Sequence, residues 1–237
     1  MASTRTSTRG RASWLPITDE RQLLIAGLFM IAAFILLHLG GLLAGRWVWQ
    51  VERLFRFGGE ANVPSWASSV LWVLAALAAM GCAQGSRATS DRRTWRWLAV
   101  GLLLASCDEA AMIHEELGRS LQRAIASATN ARDLVLPWSL TLGPLAVAAA
   151  VWIWRRMQRS LASSSPARRY LQAGLMLAFG SAIGLELLEK YVTAAWAQAL
   201  ETVVEESCEM IGGLLILVGL LLHQRRLQQR PAPRMDR

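Results

Sequence analysis

Apolar residues fall in long blocks separated by short segments dense in arginine. The blocks cover 23–45, 66–83, about 97–116, 134–154, 170–191 and about 201–222. A helix needs about 20 mostly apolar residues to cross a bilayer. The first block carries only His38 as a strongly polar side chain, and the fourth contains Pro137 and Pro144. The third and fifth are charged at their ends, and the sixth at its start. This pattern predicts an all-α integral membrane bundle of six transmembrane helices over 23–223. Basic tails flank it at 1–22 and 224–237. The first block is too long for a signal-peptide core and lacks an A-x-A site, so it is expected to remain as a helix.

Basic side chains give the bundle a direction. The two tails and the loops after the second and fourth blocks carry 18 Lys and Arg, and the remaining loops carry 7. Both termini are therefore expected in the cytoplasm of a bacterial cell, with the chain in its inner membrane. Trp47, Trp49, Trp66, Trp138 and Trp196 then fall near the outer interface. Trp95, Trp97, Trp152 and Trp154 fall near the inner one, as an aromatic belt predicts. His223 is expected at the inner interface.

Composition agrees with a membrane protein. Of 237 residues, 54% are hydrophobic and 18% charged, with a formal net charge of +8. The mean hydropathy is +0.31. A basic nucleic-acid binder keeps its charge on a polar surface, so nucleic acid is excluded as a partner and membrane lipid is expected. Cys82, Cys107 and Cys208 are too few and scattered for a zinc ribbon or disulfide framework. Cys107 and Cys208 are expected as small packing residues, with a pairing between them left open.

The net charge hides an acidic minority. Split by side, the cytoplasmic segments sum to +14 and the outer ones to −6. Ten of the 17 acids lie in three membrane blocks. The third block ends with Asp108, Glu109, His114, Glu115 and Glu116. The fifth ends with Glu186 and Glu189, and the sixth opens with Glu201, Glu205, Glu206 and Glu209. The predicted direction brings all three to the outer end, close to the level of His38. On one continuous helix, Asp108 and Glu115 share a face, as do Glu109 and Glu116, while His114 points away. Gly180 and Gly184 form a small-xxx-small step that predicts close packing beside Glu186.

Carboxylates this dense in low dielectric require water, protons or metal ions. Glu201 and Glu116 fit solvated helix ends. Asp108 and Glu209 adjoin long apolar sequence and do not. A divalent ion (Fe, Mn, Zn or Ca) suits a carboxylate-rich site with one or two imidazoles. The candidate ligands are Asp108, Glu109, His114, Glu115, Glu186, Glu189, Glu205, Glu209 and His38. No E-x-x-H, H-E-x-x-H, Gly-rich phosphate loop or G-x-S-x-G is present.

The segments Asp108-Glu109-Ala110-Ala111-Met112-Ile113-His114-Glu115 and Glu205-Glu206-Ser207-Cys208-Glu209-Met210-Ile211-Gly212 carry a resemblance. They resemble a group of uncharacterised multi-pass bacterial membrane proteins with D-E-x-x-x-x-H-E and E-E-x-x-E-M-x-G segments. The resemblance implies that the acids act as a unit and implies no reaction. Three functions are open. One is a metal-dependent enzyme acting on a lipid or small amphipathic substrate at the outer leaflet. Another is a cation or proton transporter using the same carboxylates. The last is a non-catalytic membrane assembly subunit.

Overall fold

A computed structural model describes residues 19–44, 49–59, 61–129, 137–162, 164–189 and 191–229. Every element among them is helical. In chain order they are α1 (Glu20–Ala44), α2 (Trp49–Phe55), α3 (Val63–Gly85), α4 (Thr89–Ala111), α5 (Ile113–Thr129), α6 (Trp138–Thr141), α7 (Gly143–Leu161), α8 (Ser165–Glu189) and α9 (Ala195–Gln229).

Three of these helices, α1, α3 and α8, are long and apolar enough to cross a membrane. The α4–α5 pair makes a fourth if it counts as one span, although it bends by 76°. Much of the apolar surface of α1 and α8 points outward. Phe29 is 73% exposed and Leu43 is 90% exposed, an arrangement that water penalises and hydrocarbon does not.

The 35-residue α9 sits at the centre, packed by α1, α3 and α8. Its stretch 210–222 is apolar on nearly every side, which is what an enclosed helix requires. Met210, Leu214, Leu217 and Leu220 are fully buried there.

The closest seam joins α8 to α9. A Cβ on Gly174 would lie 2.7 Å from the Gly212 carbonyl, and one on Gly212 would lie 2.8 Å from the Ala178 nitrogen. A Cβ on Gly219 would meet the Leu171 nitrogen at 3.0 Å. The expected step at Gly180 and Gly184 is not the seam, since a Cβ on either meets nothing within 4 Å. The face of α8 that meets α9 runs instead through Ala167, Leu171, Gly174 and Ala178.

Three further placements differ from expectation. Trp95 and His223 do not face an interface. They are 0% and 1% exposed, with ring centroids 4.9 Å apart inside the bundle. Glu201 does not open a helix, because α9 starts six residues earlier at Ala195. Trp66, Trp97, Trp152 and Trp196 are exposed, Trp138 and Trp154 are half-buried, and Trp47 and the Trp49 side chain lie outside the described residues.

Candidate carboxylate and imidazole site

The end of α4 departs most from a continuous helix. Met112 adopts a left-handed conformation (φ 47°, ψ 44°), and its N–H donates to the Asp108 carbonyl at 2.7 Å. A left-handed non-glycine residue costs about 1–2 kcal/mol. The Asp108 side chain offsets this by capping the next helix. Its Oδ1 accepts the His114 backbone N–H at 2.7 Å, and its Oδ2 lies 2.6 Å from the His114 ring Nδ1.

The bend overturns the expected helical faces. Asp108 and Glu109 stay on α4, whereas Glu115 and Glu116 leave on α5. His114 turns onto Asp108 rather than away from it. With Nδ1 held by a carboxylate, Nε2 is the ring atom presented for a ligand or a proton. Trp138 stands edge-on to the imidazole, with centroids 4.4 Å apart. Gly118 lies tight against Trp138, since a Cβ there would fall 2.6 Å from the Trp138 Cβ. Beyond the bend, on the amphipathic α5, burial opposes a charge on the His114 ring. The bonded Asp108 carboxylate, with Glu115 and Glu186, outweighs it and holds the His114 pKa above the ordinary histidine value.

Helix α9 brings the second group of acids. Glu109 lies within electrostatic reach of Glu206, Asp108 and His114. Glu209 faces Glu109, Glu206, Glu205 and Asp108. Glu186 on α8 reaches His114. The expected convergence of three segments is thus present at one end of the bundle. The Glu189 side chain lies outside the described residues.

Small groups on α3 and the preceding loop support the carboxylates. Ser68 is buried on α3 on the side of Glu109. Ser65 donates to the Glu109 carbonyl at 3.0 Å, and Ser69 pairs with Ser106 at 2.8 Å. The Gly58 N–H donates to Glu206. Gly58 has φ +68°, and a Cβ would fall 2.5 Å from Thr202 Cγ2, so only glycine fits that turn. Asn62 caps α3 through Ser65 N and ties the loop through the Arg56 carbonyl at 2.8 Å.

Sequence reasoning ranked Glu205 above Glu206, following the 201–205–209 stripe. The buried positions Val203, Ser207 and Met210 instead place 206 and 209 beside the core. The three-residue steps 203–206–209 along that face carry the missed signal. Ser65, Ser68 and Ser69, spaced three and four apart in an apolar helix, were likewise readable.

His38 stands apart from the acids. It is buried, its Nδ1 accepts the Phe57 N–H at 3.3 Å, and its ring meets Phe57 edge-on. Its charged neighbours are Arg56 and Glu52. It anchors the loop that carries Gly58. His38→Ala is expected to cost about 1–3 kcal/mol by leaving a buried N–H unpaired. Chemical denaturation of detergent-solubilised protein measures this, and an unchanged midpoint contradicts the anchoring role.

Among the described residues, Arg119 supplies a cation contact to these acids. Arg119 lies 3.4 Å from Glu115 and 2.8 Å from Glu116, on the exposed side of α5. Among the described residues, no three His, Cys, Asp or Glu side chains are arranged to hold a metal ion as they stand. Cys107 and Cys208 are both free thiols, so they do not pair.

These features define an all-helical protein with membrane-length helices and one acidic end. A family model described as a domain of unknown function (DUF8692) matches residues 22–224, and the chain belongs to that family. No curated protein and no solved structure matches it.

Proposed function

We propose that the chain is a multi-pass protein of the bacterial inner membrane whose acidic end faces outward and binds a divalent cation. All six apolar blocks cross in this reading, with α9 as the enclosed sixth span and α4 and α7 as the third and fourth. The excess of arginine on the other side supports the direction.

The observation that carries the proposal is the electrostatic proximity of Glu109, Glu206 and Glu209, three carboxyl groups drawn from α4 and α9. Such acids repel unless a cation or protons intervene. Glu109, Glu206 and Glu209 are the holding residues, and the Asp108–His114 pair adds an imidazole nitrogen at their edge. The support is charge and donor chemistry rather than a preformed cage. Oxygen donors favour Mn, Ca or Fe, and inclusion of His114 admits Zn.

When bound, the ion supplies Lewis acidity at the membrane surface. The chain's own part is proton handling. His114 Nε2 takes or gives a proton while Asp108 fixes the ring. The amphipathic α5, with Leu117 and Leu121 exposed, lies beside this pair and suits a lipid or amphipathic substrate.

Elemental analysis of gently purified protein tests the proposal. About one ion per chain, removed by chelator and restored by dialysis, is expected. Metal-free protein that rebinds none of Mn, Fe, Zn or Ca sinks it and leaves protons as the compensating charge.

A further inference from the structure

The chain turns sharply where α4 ends. Helices α4 and α5 are bent by 76° across the break at Met112. A helix turned this far from one that crosses a bilayer runs close to the membrane plane. With 17 residues, α5 extends for about 25 Å in that direction.

The sequence of α5 divides by side. Ile113, Leu117, Leu121, Ala124 and Ala128 follow at steps of three and four and form one apolar stripe. Every member of the stripe is exposed, Leu117 to 53% and Ile113 to 46%. Glu116, Arg119, Arg123 and Ser127 line the opposite side. There Arg119 pairs with Glu115 and Glu116, and Arg123 donates to Ser120 Oγ at 3.2 Å. These polar groups satisfy one another and water.

The bundle meets α5 beside the apolar stripe and across from the arginines. The contacts are His114, held by Asp108, and Gly118, close against Trp138. The stripe therefore lies on the bundle side of α5, uncovered by the described residues. A second observation marks the level. Ser65 donates to the Glu109 carbonyl near the end of α4, and the next residue, Trp66, is 67% exposed. Tryptophan is enriched where membrane meets water.

A helix divided in this way, at this level and angle, fits a lipid surface. We propose that α5 lies in the plane of the membrane surface. Its Ile113–Leu117–Leu121 stripe is seated among the glycerol and upper acyl groups of the lipids, and its arginines face the headgroups and water. The occupant of the stripe is the bilayer itself. The inference rests on the membrane reading of the fold and not on the cation. It deepens the lipid reading of the acid site, because the Asp108–His114 pair at the head of α5 then stands at headgroup level.

Site-directed spin labelling of the full chain in phospholipid nanodiscs tests this. Single labels are placed in a background with Cys82, Cys107 and Cys208 changed to alanine. Labels at Leu117→Cys and Leu121→Cys should meet oxygen in preference to a water-soluble nickel complex, about 5–10 Å below the headgroup boundary. Labels at Arg123→Cys and Ser127→Cys should prefer nickel. Leu36→Cys is the membrane control, since Leu36 is 70% exposed on α1. If the Leu36 label lies in lipid but the Leu117 and Leu121 labels lie in water, the in-plane helix alone is overturned. Nickel access at Leu36 as well overturns the membrane reading with it. Protection of the Leu117 and Leu121 labels from both probes assigns the stripe to a protein partner and also overturns the proposal. Should the cysteine-free chain fail to fold, a photo-crosslinking benzoylphenylalanine introduced at Leu117 of the otherwise native chain decides. Lipid adducts support the seat, and crosslinked dimers or no adducts overturn it.

Discussion

Gly212→Val is expected to separate α8 from α9 and to destabilise the bundle more than any other single change considered. The new Cβ would lie 2.7 Å from the Ala178 Cβ, 2.8 Å from its nitrogen and 2.9 Å from the Gly174 carbonyl. Two of these obstacles are backbone and cannot rotate aside. Overpacking of a close core costs about 1–3 kcal/mol, and a backbone collision lies at or above the top of that range. The seam also sits three residues from Glu209, so its opening should disturb the acids. Gly180→Val is the matched control, because its Cβ meets nothing within 4 Å. Its cost should stay near the helix-propensity difference, within about 0.5 kcal/mol. Thermal unfolding in detergent, followed by tryptophan fluorescence, compares the two. A Gly212→Val protein as stable as the control contradicts the seam.

The second large effect concerns charge. Glu206→Gln with Glu209→Gln should act in opposite directions with and without metal. In chelator, removing two of the mutually facing carboxylates relieves repulsion, so the variant should be at least as stable as wild type. With saturating divalent cation the order should reverse. A ligand at a hundred times its Kd adds about 2.7 kcal/mol to the protein that binds it. Wild type should gain on that scale and the variant should not. Parallel unfolding curves under both conditions would remove the cation from the account.

Much of the helical content was legible because hydrophobic blocks and arginine-rich breaks report length directly. The place of each helix was less legible. Residues 23–45 and 201–222 both read as apolar blocks in the sequence, yet α1 exposes Phe29 and Leu43 while α9 buries its apolar stretch. The hint was that 210–222 lacks any polar face, whereas enclosure by α1, α3 and α8 is a long-range property. The close seam was expected at the wrong glycines. Small-xxx-small spacing says that an approach is possible, and only the partner's face selects Gly174 and Gly212 over Gly180 and Gly184.

The acid site divides in the same way. Its convergence followed from topology, because three acidic ends were expected at one level. Its internal geometry did not. No glycine or proline marks the break at Met112, so a continuous helix was the natural expectation for 97–116. The break depends on Asp108 turning back to cap α5, a contact six residues long. That one contact moved His114 from an outlier to the partner of Asp108.

The most direct test is a manganese(II) titration of the protein in nanodiscs, with free ion read by electron paramagnetic resonance. Wild type should take up about one ion per chain, displaced by zinc or calcium, and the Glu206→Gln, Glu209→Gln protein should take up none. Equal uptake by both, or none by either in the presence of competent folded protein, would contradict the clustered carboxylates as the cation site.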